Sequence, residues 1–201
     1  MTSLLALAIA YLLGAIPFGF LLVKWKTGAD VRAAGSGNIG ATNVLRTTGR
    51  AAGIATLLLD IVKGYLAVWI AARLTHADPF WMSAAALTVM AGHAYPVFLG
   101  FKGGKAVASF VGAFLCLTPV ALLASMVVFV GVVAWTRYIS LGSIVAAGCF
   151  PLAVWIIVQP AWEIELAAII AGAFIIYKHS WNIERLRAGT EHVFTFGAPK
   201  H

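Results

Sequence analysis

Long apolar stretches alternate with short polar ones along this chain. The apolar stretches fall at roughly 3–23, 53–73, 80–98, 105–117, 119–135, 141–158 and 162–178. In hydrocarbon a segment must satisfy its own backbone polar groups, which a helix does. The pattern therefore predicts about seven transmembrane helices. The fourth is short for a hydrocarbon core about 30 Å thick, so it reads as a half-span or a tilted helix. Thr118 and Pro119 separate it from the fifth. The first stretch has no basic residue ahead of it and no small-residue cleavage site before Lys24, so it reads as a retained helix, not a signal peptide. With no separate soluble domain, low-complexity tract or internal repeat, residues 1–201 are expected to form a single membrane-embedded domain.

Composition reinforces this. The chain is 62% hydrophobic and 10% charged, with a mean hydropathy of +0.95. A soluble domain carries about 25% charged residues. The expected fold class is an all-α integral membrane protein. The net charge of +7 would suggest nucleic acid in a soluble domain. Here the basic residues sit in short loops beside apolar spans, and topology explains them better.

Of the 14 Lys and Arg residues, 12 fall on one side if the N-terminus is outside: Lys24, Lys26, Arg32, Arg46, Arg50, Lys102, Lys105, Arg137, Lys178, Arg185, Arg187 and Lys200. The positive-inside rule then places the C-terminus in the cytoplasm, and an odd number of spans follows. Cys116 and Cys149 both lie in apolar stretches without metal or redox spacing, and read as small packing residues.

Polar residues gather in "GSGNIGATNVLR" (35–46), "GHAYPVFLGFKGGKAVAS" (92–109) and "YKHSWNIERLRAGTE" (177–191), all at cytoplasmic ends of spans. Short loops on one face can converge. Their Ser, Asn, Thr, Arg, Lys, His and Gly content, with few acids and no metal-ligand spacing, describes an anion site, most plausibly for phosphate.

Gly35, Gly37 and Gly40 spell the dinucleotide fingerprint, but between membrane helices rather than after a strand. Asp60 stands about where that motif expects an acid, yet inside the second span. What survives is a glycine turn whose backbone N–H groups, near Gly37 and Asn38, can form an anion nest. Ser36, Asn38, Thr42 and Asn43 add neutral donors, and Arg46 adds a planar fork. "FKGGK" fails as a Walker A loop, since Leu99 and Ala106 occupy positions that motif reserves for Gly and Ser/Thr. Gly103, Gly104 and Lys105 at a helix N-terminus remain a plausible phosphate cradle.

His93 and Pro96 read as structural. His179 and Asn182 share a face at a helix end, and Ser143, at the cytoplasmic end of the sixth span, could reach the same place. Glu184 and Glu191 lie beside Arg185 and Arg187 and read as ion-pair partners. Asp60 and Lys63, spaced i, i+3 within a span, mark either a function or a mutually neutral staple between helices, and the staple is favoured.

Taken together, the three clusters resemble the bacterial acyl-phosphate:glycerol-3-phosphate acyltransferases of phospholipid synthesis. "LLDIVKG" (58–64) and "RYISLGS" (137–143) are weaker echoes, and the similarity runs the length of the chain. One departure is Ala106, where the family usually has glycine.

The resemblance implies transfer of a fatty acyl group from acyl phosphate to the 1-hydroxyl of glycerol-3-phosphate, giving lysophosphatidic acid and inorganic phosphate. It implies no coenzyme A, nucleotide, metal or other cofactor, because the acyl phosphate is already an activated mixed anhydride. It implies Ser36, Arg46, Lys105, His179 and Asn182 as functional residues. The expected partners are those two substrates and the bilayer, with no nucleic acid, and the expected state is a monomer. The expected place is the bacterial inner membrane with the site facing the cytoplasm. Two questions stay open at this level. The hydroxyl proton goes either to His179 or to the leaving phosphate, and a carrier of a small phosphorylated anion is the main alternative function.

Overall fold

The computed structural model describes residues 1–194, which fold into ten α-helices and two short 3-10 turns. The helices are α1 (Thr2–Ala15), α2 (Phe18–Thr27), α3 (Ala41–Thr48), α4 (Arg50–Leu74), α5 (Pro79–Ala94), α6 (Val107–Leu117), α7 (Pro119–Thr136), α8 (Ile139–Ile157), α9 (Trp162–Lys178) and α10 (Ser180–Arg187). Their ends follow local chemistry. Pro17 lacks an N–H and separates α1 from α2. Gly28, in the left-handed region, ends α2. Asp78 caps α5 by accepting from the N–H groups of Phe80 and Trp81, with Pro79 at the first helical position.

Every stretch predicted to span is mainly helical. Five are long and apolar enough to cross a membrane: Thr2–Thr27, Arg50–Leu74, Pro79–Leu99, Pro119–Thr136 and Ile139–Ile157. A sixth arises if α9 and α10, bent by 55° at their junction, count as one. Helix α6 has 11 residues, which at 1.5 Å each reaches about 16 Å, roughly half the thickness of a hydrocarbon core of about 30 Å. The break at Pro17 and the bend at His179 are features that hydropathy alone does not predict.

The described residues pack as two units, one of residues 1–117 and one that begins at residue 118. In the first, α4 is the hub, packed against α6, α1, α3 and α5, while α1 lies along α5. In the second, α8 lies between α7 and α9, and α10 touches α8 and α9.

The packing inverts the usual rule for water. Buried positions are dominated by Ala, among them Ala6, Ala10, Ala67, Ala71, Ala85 and Ala113, while Leu58, Leu123, Val127 and Trp135 face outward. Lipid is as apolar as leucine, so close backbone approach through small residues drives association instead. Two reciprocal pairs show it. A Cβ on Gly14 would overlap the Val89 carbonyl, and one on Gly92 the Tyr11 carbonyl, where α1 meets α5. A Cβ on Gly64 would overlap the Ser109 carbonyl, and one on Gly112 the Ile61 carbonyl, where α4 meets α6. Gly131 on α7 has nothing near it.

These glycines predict opposite signs for one substitution. Gly112→Ala lowers stability by about 1–3 kcal/mol, because α4 and α6 must separate. Gly131→Ala raises it by up to about 1 kcal/mol through helix propensity. Thermal unfolding of the two variants in detergent checks both signs.

Candidate active site

The first polar cluster is the connection from α2 to α3. Asp30 accepts from the backbone N–H of Arg32 at 2.9 Å and pairs with its guanidinium at 2.7 Å. The Arg32 hydrogen bonds hold the Asp30 carboxyl below its ordinary range, and Arg32 also lies 5.3 Å above the Phe20 ring. Beneath this connection Val23, Val31, Ile39, Val44 and Ala52 form an apolar cluster, with Phe20 and Leu99 against it. Leu99 brings the second polar segment onto the first.

Asn43 organises this connection. Buried at 2% exposure, its amide nitrogen donates to the carbonyls of Val31 and Ala34, both at 3.1 Å, and of Asn38 at 2.8 Å. Its Oδ1 accepts the Ser36 N–H at 2.8 Å. The structure therefore corrects the reading of Asn43 as a phosphate donor, because both ends of its amide already hold loop backbone. Gly35 has φ +60° and no room for a Cβ beside Asn43 Oδ1, so only glycine fits there.

Two glycine N–H groups of this turn are likewise committed within it. The Gly37 N–H donates to the Ala34 carbonyl at 3.1 Å, and the Gly40 N–H to Asn38 Oδ1 at 2.9 Å. What the connection displays is the partly buried Ser36, with Thr42 in the first turn of α3 and Arg46 exposed in its last turn.

The second cluster follows α5. The Gly104 N–H donates to the His93 carbonyl at 3.1 Å, so this donor is turned inward instead of toward a phosphate. Cβ atoms on Gly103 and Gly104 would overlap the His93 carbonyl and His93 Nε2 respectively. Both glycines serve close packing on His93. Lys105 follows, half-buried. Ala106, fully buried, has φ +61°, a conformation that disfavours any residue with a Cβ by about 1–2 kcal/mol. Glycine, the residue that the resemblance leads one to expect at this position, carries no such cost. Asp60 and Lys63 make the expected ion pair at 2.8 Å.

The third cluster lies at the α9–α10 bend, in the second unit. His179 is buried, and its Nδ1 is 2.7 Å from the Ile175 carbonyl. A carbonyl only accepts, so Nδ1 carries the hydrogen and Nε2 is the basic nitrogen of the neutral ring. Glu191, also buried, gathers three donors: Ser140 Oγ at 2.9 Å, Asn182 Nδ2 at 2.8 Å and Arg185 Nε at 2.7 Å. Burial alone would push the Glu191 carboxyl up. The donations from Arg185, Asn182 and Ser140 outweigh that and hold it below its ordinary range. Glu191 thus makes the ion pair expected of it, and Glu184 is exposed. Ser143 donates to the Ile139 carbonyl at 3.0 Å, within its own helix. Ser140, one turn earlier, is the hydroxyl that joins the cluster. Sequence reasoning passed over it, although it stands in the quoted "RYISLGS" at i, i+3 from Ser143.

Known proteins align with the chain as a whole. Residues 4–189 match the model of the family described as glycerol-3-phosphate acyltransferase. A glycerol-3-phosphate acyltransferase of Geobacter sulfurreducens is 50% identical over 194 residues, 96% of this chain and 98% of that one. The one from Aquifex aeolicus is 42% identical, covering 96% and 100%. The crystal structure of PlsY, an integral membrane glycerol 3-phosphate acyltransferase, in its glycerol 3-phosphate form superposes with a TM-score of 0.92 at 41% identity, covering 97% of this chain and 96% of that one. Its lysophosphatidic acid form gives 0.89 at 39%, with the same coverage. With a family model matched over residues 4–189 and a relative 50% identical over nearly the whole of both chains, the chain belongs to the glycerol-3-phosphate acyltransferase family.

Proposed function

We propose that this protein moves a fatty acyl group from acyl phosphate to the 1-hydroxyl of glycerol-3-phosphate in the bacterial inner membrane. It acts as a monomer with its chemistry at the cytoplasmic face. The N-terminus lies outside and the C-terminus inside, a topology supported by the distribution of Lys and Arg. The observation that carries the reading is the match, over nearly the whole of both chains, to a relative described in a glycerol 3-phosphate form and a lysophosphatidic acid form.

The hydroxyl oxygen attacks the acyl carbon, the bond from that carbon to the bridging phosphate oxygen breaks, and inorganic phosphate leaves. A mixed anhydride is already activated, so the protein's work is to hold two anionic substrates in line. Proximity of that kind supplies on the order of 7–11 kcal/mol.

Ser36 and Lys105 hold the acyl phosphate and stabilise the developing oxyanion. Arg46 clamps a phosphate. Asn182 and His179 orient glycerol-3-phosphate, and Glu191 fixes which end of the Asn182 amide is oxygen. Gly37, Asn38, Gly40, Thr42, Gly103, Gly104 and Ser143 shape the surroundings. The leaving phosphate takes the hydroxyl proton.

Three outcomes follow. Purified protein in detergent releases phosphate only when palmitoyl phosphate and glycerol-3-phosphate are both present. Release independent of glycerol-3-phosphate, or uptake of the ester into vesicles without release, overturns the reading. His179→Gln raises KM for glycerol-3-phosphate several-fold and lowers kcat by less than about tenfold. A loss of about a hundredfold or more, with a flattened pH profile, would make His179 the base. Lastly, the Glu191 carboxyl sits below its unfolded value, near 4.5. Its contribution to stability is therefore complete above that pH and is lost as pH falls through the folded value. The unfolding midpoint against pH shows this acid-side decline in the parent, and Glu191→Gln lessens it.

A further inference from the structure

Asp60 and Lys63 take no part in the reaction as described, yet both are buried in α4, at 1% and 2% exposure. Charges within a span are costly, and their retention calls for a reason. Lys63 has one: its Nζ lies 2.8 Å from Asp60 Oδ1, donates to the Ile16 carbonyl at the Pro17 break at 2.9 Å, and sits 5.6 Å above the Phe18 ring. A staple between α4 and the broken first span requires nothing further.

Asp60 does more than that. The same Oδ1 faces His93 Nδ1 at 3.6 Å. His93, in the last turn of α5, meets the Gly103–Gly104 turn on two sides. Its carbonyl accepts the Gly104 N–H at 3.1 Å, and its Nε2 edge lies where a Gly104 Cβ would be. Ionised carboxylates only accept, so Asp60 favours the ring orientation and tautomer with Nδ1–H toward itself. Turning the ring over would place carbon against the carboxylate and present a different edge to Gly104. Away from water such a preference is stronger than it would be at a surface.

We propose that Asp60 is a positioning residue for the Gly103–Gly104–Lys105 turn, acting through the His93 ring, with Lys63 holding the carboxylate in place. The inference rests on the reading of Lys105 as a ligand of the acyl phosphate.

The test uses the full chain in detergent with palmitoyl phosphate and glycerol-3-phosphate. Asp60→Asn keeps the shape and removes the charge. KM for palmitoyl phosphate rises about tenfold or more, while KM for glycerol-3-phosphate stays within about twofold. Removing one partner of a buried ion pair is itself destabilising, so His93→Gln, which leaves the Asp60–Lys63 pair whole, is the deciding variant. It gives the same selective rise with an unfolding midpoint close to that of the parent. The double variant is no worse than the more damaged single one, because both break one connection.

The proposal is overturned if His93→Gln leaves KM for palmitoyl phosphate unchanged, or if both KM values move together with a falling midpoint. Lys105→Ala separates this from the underlying reading. Should it raise KM for palmitoyl phosphate while His93→Gln does not, the coupling alone fails. Should it leave that KM unchanged, the reading of the turn fails, and the coupling with it.

Discussion

The structure depends first on the absence of hydrogen-bonding solvent around most of the chain. Backbone groups must then be satisfied within each helix, and helices find no advantage in hiding leucine from lipid. Contact between backbones is what remains. The reciprocal glycines of α1 with α5 and of α4 with α6 place carbonyls against Cα atoms, and the alanine-rich interior follows from the same need. Large apolar side chains are left to face the bilayer.

The constraint also decides where chemistry can be housed. Polar side chains concentrate where helices end or break, since a helix end is where backbone groups lack intrahelical partners. His179 stands at the α9–α10 bend, Lys63 answers the Ile16 carbonyl beside a proline break, and Asn43 fastens the connection that precedes α3. In each case one side chain supplies what the helix could not. A functional group is thereby held by contacts that are also structural, which suits a reaction whose barrier falls mainly through placement.

Helix positions and the polar clusters were legible in the sequence because hydropathy and residue type are local properties. The family, too, could be read from three motifs in order. Less legible was how each donor is used. Spacing marks Gly37 and Gly104 as candidates for an anion nest, yet their N–H groups point to Ala34 and to His93. The second of these partners lies 11 positions away, across a turn that no periodicity describes. Asn43 was chosen as a donor for its residue type, and its burial among carbonyls of its own loop is a tertiary fact. Ser140 was passed over in favour of Ser143 because a helix alone does not show which of two serines meets Glu191 from a later segment. The short α6 was visible as an anomaly of length, and it is a helix of 11 residues.

Asn43 has one further consequence, for chemical ageing. Its side-chain nitrogen serves three carbonyls at once, so hydrolysis of that amide to a carboxylate would turn three attractions into three oxygen–oxygen repulsions. Spontaneous deamidation proceeds when the next backbone nitrogen can fold onto the side-chain carbonyl. Here the following residue is Val44, β-branched and buried, and both residues lie within α3. The setting that makes this amide irreplaceable thus also shields it from its most common route of decay.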